Sequence, residues 1–179
     1  MKNAIDRVLI DREAIAKRVK ELGAQITKDY EGKSILLICI LRGACVFFSD
    51  LVREIDLEVH FDFMAVSSYG NSTRTTGEVK ILKDTTEPLY GKDVIIVEDI
   101  VDSGITLKNL KQSLLTRNPN SIKICTFLDK PARRQTELVP DYCGFTVPNE
   151  FIIGYGMDYK ENFRNVPEVC VLKPEIYSK

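Results

Sequence analysis

The 179-residue chain has no tryptophan, one histidine, His60, and only ten glycines. A single histidine cannot build a paired-histidine zinc site within one chain, and His60 is expected on a strand face. Neither Gly-x-Gly-x-x-Gly nor Gly-x-x-x-x-Gly-Lys-Ser/Thr occurs, so dinucleotide and P-loop readings lack their glycines. Cys39, Cys45, Cys125, Cys143 and Cys170 are odd in number, contain no Cys-x-x-Cys pair and sit mostly in apolar runs. They are expected to be reduced, buried thiols of a cytoplasmic protein. The longest apolar run, Ile35 to Leu41, is far short of the roughly 20 residues of a spanning helix. The charged start, Lys2, Asp6 and Arg7, has no secretory apolar region, and the mature chain is expected to begin at Met1. An excess of one charge sign is also missing. Lys plus Arg number 25 against 26 for Asp plus Glu, which provides no broad basic field for polyanions.

What remains is ordinary globular composition, 44% apolar and 28% charged, at the length of one domain spanning residues 1–179. From Asp11 the apolar residues Ile15, Val19, Leu22 and Ile26 recur at helical spacing. Asp11 is placed to cap that helix, and Gly32 lies beyond it. Ile35 to Ile40 is apolar without alternation, the pattern of a strand buried on both faces of a parallel sheet. Ala44, Phe48, Leu51 and Ile55 predict a second helix, and alternating Val59, Phe61, Phe63 and Ala65 a second strand. Ser67 to Gly77 is nearly devoid of apolar residues and reads as a surface loop between strand-like segments. Val94 to Val97 and Ile122 to Leu128 are further strands. Between them Leu107, Leu110 and Leu114 predict a helix that stops before Asn118-Pro119. Alternating strands and helices imply an open, mostly parallel α/β sheet with helices on both faces. Short strands near Phe151 and Val169 would form a small hood with the N-terminal segment.

Open α/β sheets bind ligands at the carboxyl ends of their strands. The densest chemistry there is Glu98-Asp99 at a strand end, followed by Asp102-Ser103-Gly104-Ile105-Thr106 before a helix. Unpaired helix N–H groups, two hydroxyls and a glycine make a phosphate cradle. The carboxylates suit sugar hydroxyls or Mg²⁺. A lone acid in this position would be read as a helix cap; three acids beside a hydroxyl-glycine-hydroxyl run instead suit a phosphorylated sugar.

Val94 to Thr106 closely resembles the phosphoribosyl-pyrophosphate motif of type I phosphoribosyltransferases. Leu41-Arg42-Gly43, Ser68-Tyr69, Asp129-Lys130, Phe151 to Tyr159 and Phe163-Arg164 are similar, in order and over nearly the whole chain, to the signatures of the hypoxanthine-guanine phosphoribosyltransferase family. The resemblance implies the type I phosphoribosyltransferase fold and a Mg²⁺-dependent pentosyltransferase of purine salvage. Its substrates would be phosphoribosyl pyrophosphate and hypoxanthine or guanine, and its products IMP or GMP and pyrophosphate. It also implies a homo-oligomer, dimer or tetramer, without nucleic-acid or membrane partners.

Position by position, the resemblance implies that Glu98 and Asp99 hold the ribose hydroxyls and metal, and that Asp102, Ser103, Gly104, Ile105 and Thr106 wrap the 5′-phosphate. Asp102 would be the general base for purine N7 as N9 attacks ribose C1′. Leu41, Arg42 and Gly43 would form the pyrophosphate loop, whose first peptide is commonly cis in the family and whose Arg42 stands where Lys is frequent. Lys130 would donate to purine O6, Phe151 would stack on the base, and Ile152 would offer its carbonyl to the ring edge. Asp158 would reach a second Mg²⁺ beside the base, Arg164 would contact pyrophosphate, and Ser68 and Tyr69 would belong to a lid. Hypoxanthine, guanine and xanthine differ at C2, where backbone carbonyls decide, so the residues do not rank them. One alternative is a protein of this fold that senses phosphoribosyl pyrophosphate or nucleotides while binding nucleic acid. Phe151, Tyr155 and Tyr159 would suit stacking on single strands, but their net-neutral surroundings favour a nucleotide-sized pocket.

Overall fold

The computed structural model describes residues 2–68 and 79–178. In chain order these form β1 (Ile5–Ile10), α1 (Arg12–Asp29), β2 (Ser34–Leu41), α2 (Cys45–Arg53), β3 (Glu58–Ser68) and β4 (Val79–Lys83). There follow β5 (Asp93–Val101), α3 (Ile105–Leu115), β6 (Ser121–Asp129), β7 (Tyr142–Thr146), β8 (Ile152–Ile153), β9 (Val169–Leu172) and α4 (Pro174–Tyr177). Six strands make the main sheet in the order β4-β3-β2-β5-β6-β7. Five of them run parallel, and β4 closes one edge antiparallel to β3.

The absence of alternation in β2 follows from what covers it. Ile35, Leu37 and Cys39 pack with Ile15, Val19, Leu22 and Ile26 of α1 and with Phe47, Phe48 and Leu51 of α2. Leu36, Ile38 and Ile40 face the other way, into the cluster holding Leu107, Leu110 and Leu114 of α3. Successive side chains of a strand point to opposite faces, so a strand with helices on both sides must be apolar at every position. Asp11 caps α1 as the sequence predicts, its Oδ1 accepting from the Ala14 N–H at 2.8 Å. A second, three-stranded antiparallel sheet joins β1 to β9 and β9 to β8. Its small core is Ile153, Val166, Cys170 and Leu172.

Several expectations are corrected. Strand β5 does not end at Glu98-Asp99 but runs on to Val101, because Ile100 and Val101 continue the pairing with Leu128 and Asp129 of β6. Strand β3 likewise extends to Ser68, inside the segment read as loop, where pairing with β4 supplies its backbone partners. Helix α2 ends at Arg53, so Ile55 packs from the following turn. Cys45, expected to be buried, is exposed on the first turn of α2. Cys39, Cys125 and Cys170 are buried and all five thiols are free; burial pushes the Cys39 thiol up to about 12. His60 lies on β3 with its side chain about half exposed, as expected.

Candidate active site

Strands β2 and β5 are parallel neighbours only as far as Cys39 opposite Val97. From β2 the chain crosses over to β3 on one side, while β5 and β6 lie on the other. The order therefore reverses between β2 and β5, and such a switch point opens a crevice at the carboxyl ends. Leu41-Arg42-Gly43 forms one wall and Glu98 to Thr106 the other. The Leu41–Arg42 peptide is cis, in keeping with the family pattern. The walls touch: a Cβ on Gly43 would fall 1.5 Å from Asp99 Oδ2, so only glycine leaves that carboxylate its place. Gly156 is also tightly placed, since a Cβ there would fall 2.1 Å from the Gly43 carbonyl oxygen, which sets the C-terminal loop against the same wall.

Glu98 and Asp99 are adjacent, partly buried acids. Burial, then the Asp99 charge, pushes the Glu98 carboxyl well above the usual carboxylate range. Burial also raises Asp99, against the pull of nearby hydrogen bonds and of the Arg164 charge. The Asp99 N–H donates to Glu98 Oε1 at 3.1 Å and the Ile100 N–H to Asp99 Oδ1 at 2.6 Å. No lysine or arginine forms an ion pair with either acid among the described residues.

Helix α3 begins with Gly104 at φ +79°, a left-handed conformation that glycine adopts without penalty. Gly104 supplies no side-chain cap, and the Ile105 N–H has only a long 3.4 Å contact to Ser103 Oγ. The first turn thus keeps donors for an anion. They border a recess of about 130 Å³ shared by Glu98, Asp102, Ser103, Gly104 and Thr106. Asp102 is not the cap. Its Oδ1 is shielded from solvent and accepts no hydrogen bond, although Arg133 Nε lies 3.2 Å away without the alignment of one.

Asp102 also borders a larger cleft of about 430 Å³, with Lys130, Arg133, Phe151, Ile152, Asp158 and Tyr177 among its walls. Its size is within the usual range for small-molecule pockets. The segment after β6 is fastened to the segment after β5. Lys130 N–H donates to the Val101 carbonyl at 3.0 Å, Gln135 N–H to that of Ser103 at 2.9 Å, and Arg134 Nε to that of Asp102 at 3.2 Å. Arg134 also pairs with Asp129. Lys130 is therefore not a solvated lysine. It is 6% exposed, donates to the Glu150 carbonyl at 3.0 Å, and is pushed below its usual value by burial against the opposing pull of Asp102.

Phe151 precedes β8 and Ile152 opens it; Ile152 is buried and paired with Val171. Asp158 and Arg164 meet at 2.8 Å, and Arg164 Nη1 donates to the Gly156 carbonyl at 2.8 Å. Arg42 reaches across to Glu161 at 3.1 Å with both side chains exposed. Tyr155 is no stacking platform: it is 5% exposed in the core and its hydroxyl donates to Asp50 at 2.6 Å. No group of three or more His, Cys, Asp or Glu side chains gathers as a metal cage among the described residues. Tyr69 and the Ser68 side chain lie outside those residues. Sequence reasoning missed Arg133, Arg134 and Tyr177. The run Pro131-Ala-Arg-Arg134 carries no pattern of its own, and Tyr177 becomes relevant only through α4.

The family model described as phosphoribosyl transferase domain matches residues 9–160. The hypoxanthine-guanine phosphoribosyltransferase of Lactococcus lactis is 52% identical over 98% of this chain and 96% of its own. The one from Bacillus subtilis is 50% identical over 99% and 98%. The crystal structure of a hypoxanthine phosphoribosyltransferase from Staphylococcus aureus superposes with a TM-score of 0.97 at 47% identity, covering 100% of this chain and 97% of that one. With a split-ended parallel sheet, an acidic pair and an open helix start beside a cleft of small-molecule size, the chain belongs to the phosphoribosyltransferase family, in its hypoxanthine-guanine branch.

Proposed function

We propose that the protein transfers the 5-phosphoribosyl group of phosphoribosyl pyrophosphate to N9 of hypoxanthine or guanine, giving IMP or GMP and releasing pyrophosphate. The observation that carries this reading is that Asp102 borders both cavities, the recess at the start of α3 and the cleft holding Lys130. A phosphoribosyl group in the first and a purine in the second would meet beside its carboxylate.

In this reading the open first turn of α3, with Ser103 and Thr106, takes the 5′-phosphate. Glu98 and Asp99 take the ribose hydroxyls. The pair also fits Mg²⁺: burial opposes the charge of both acids and no ion pair neutralises either among the described residues, and Mg²⁺ is typically held by one or two carboxylates plus substrate phosphates. The bound metal would neutralise charge on the departing diphosphate. Asp158 already has Arg164 as partner, so a metal there would compete with that pair. Leu41 to Gly43 and Arg164 hold pyrophosphate, and Ser68 and Tyr69 belong to a lid that excludes water from the reacting ribose.

Asp102 accepts the N7 proton as N9 attacks C1′; its Oδ1 accepts no hydrogen bond, and the Arg133 guanidinium 3.2 Å away yields to the base. Phe151 stacks on the base and the Ile152 carbonyl faces the ring edge. Lys130, whose ammonium is fixed by the Glu150 carbonyl, donates to O6. Adenine presents a donor at that position, and a site built on such a hydrogen bond discriminates by roughly 10⁴–10⁵. We also infer one domain hooded by the small β1-β9-β8 sheet, a homo-oligomer, and a cytoplasmic setting.

The test is turnover with Mg²⁺, phosphoribosyl pyrophosphate and each of hypoxanthine, guanine, xanthine, adenine, uracil and orotate, following nucleotide and pyrophosphate. Turnover of 6-oxopurines alone is expected. Tight phosphoribosyl pyrophosphate binding without turnover of any base would instead support the nucleic-acid-binding sensor.

A further inference from the structure

The C-terminal turn α4 brings to the base cleft a residue that none of the site motifs contains. Tyr177 stacks on Phe151 with ring centroids 4.9 Å apart and planes 25° from parallel. Tyr159 meets the same Phe151 ring edge-on, at 5.4 Å and 90°. The arrangement is tied down at several points. Tyr159 Oη donates to the Ile176 carbonyl at 3.1 Å, Lys173 N–H to the Ala4 carbonyl at 3.0 Å, and Leu172 N–H to the Phe151 carbonyl at 2.9 Å. Phe151 and Tyr177 both line the 430 Å³ cleft.

We propose that Tyr177 is a positioning residue for the purine base: it covers one face of Phe151 and so fixes the other face toward the bound ring. The proposal rests on the phosphoribosyl-transfer reading and deepens it. An isolated phenylalanine turns about its side-chain bonds, and a base stacking on it must first stop that motion. Here the stop is built in, because Tyr177 occupies one face and Tyr159 touches the ring at right angles, leaving a single aromatic surface for a base. The base, Phe151 and Tyr177 would then form a three-layer stack, the offset geometry that aromatic rings prefer. Tyr177 touches no reacting atom, so its removal weakens retention of the base without slowing the chemistry.

The experiment compares the full chain with Tyr177→Ala and Tyr177→Phe in steady state, with hypoxanthine varied at saturating phosphoribosyl pyrophosphate. Tyr177→Ala is expected to raise the KM for hypoxanthine by roughly three- to tenfold, with kcat and the KM for phosphoribosyl pyrophosphate within about twofold of the unmodified protein. Tyr177→Phe, which keeps the flat ring, is expected to restore the KM. An unchanged KM would overturn the proposal. So would a lowered KM, which would mean that Tyr177 sits where the base belongs and must be displaced. If Tyr177→Ala does not fold, Tyr177→Leu, apolar but not flat, takes its place with the same expectation. Absence of turnover in the unmodified protein would instead count against the transferase reading itself. Because the chain has no tryptophan, Tyr177→Trp adds an independent readout, in which IMP binding is expected to change the emission of the single indole and unchanged emission at saturating IMP counts against the stack.

Discussion

Asp62 on β3 and the Glu98-Asp99 pair on β5 are acids in one parallel sheet, separated by β2 alone, yet their surroundings act in opposite directions. Asp62 is 6% exposed. Burial opposes its charge, but the N–H groups of Glu87, Phe63 and Thr86 and the Thr86 hydroxyl all donate to it and hold it well below the usual carboxylate range. Glu98 and Asp99 are partly buried, and burial pushes both up, Glu98 further because of the Asp99 charge. A buried acid whose donors are all supplied by the fold is a structural joint. A partly buried acid pair without an ion-pair partner leaves a demand that substrate and cation can meet, and such perturbed pairs in clefts mark functional sites.

The contrast can be broken most severely at Asp102, the third acid left short of donors. Asp102→Asn is expected to lower kcat by about 10²–10⁴-fold, the usual range for general acid–base help, while phosphoribosyl pyrophosphate binding measured by calorimetry stays within a fewfold. Loss of that binding together with turnover would make Asp102 a structural joint like Asp62.

The acid pair itself should show function and stability diverging. Glu98→Gln/Asp99→Asn is expected to lower kcat/KM for phosphoribosyl pyrophosphate by roughly 10²-fold or more through lost placement of the ribose. The same change is expected to raise the thermal midpoint of the free protein, by about 2–4 °C for each kcal/mol of relieved repulsion. The pH dependence follows from linkage. A carboxyl raised in the folded state binds more protons there than in the unfolded chain, so stability falls as pH rises from the unfolded value through the raised one. Denaturation of the parent relative to the double variant should therefore show the parent losing ground across that window and levelling off above it. A parent that gained stability instead would contradict the upward shift.

Asp62 should sharpen the comparison from the other side. Asp62→Ala removes the acceptor of the part-buried N–H groups of Phe63, Thr86 and Glu87, which solvent can partly replace. At about 0.5–1.5 kcal/mol net for a hydrogen bond, a loss near 2 kcal/mol and a midpoint drop of roughly 4–8 °C are expected. Turnover per folded molecule should stay within about twofold. For Asp62 the linkage sign reverses: its stabilisation is present above the unfolded carboxylate value and is lost as pH falls through its lowered folded value.

Much of this was legible in the chain. The non-alternating run Ile35 to Ile40 required cover on both sheet faces, the stripe from Ile15 to Ile26 required a helix, and three acids before Ser103-Gly104 required more than a cap. These signals survive in sequence because period and local chemistry act over a few neighbouring residues. Asp62, by contrast, is one acid in an alternating strand until Thr86 and Glu87, 24 and 25 residues later, turn their N–H groups toward it.

By itself the sequence determined the layered parallel sheet, the helices on both faces and the acidic strand-to-helix turn of the β5–α3 segment, since each depends on side-chain periodicity or on residues in direct succession. Only the tertiary structure decided that Glu98 and Asp99 form no ion pair with a lysine or arginine among the described residues, that Lys130 is buried against the Glu150 carbonyl, and that Tyr177 closes over Phe151. Burial and donor supply are set by which distant segments the sheet brings together, and a local pattern carries no information about that distance.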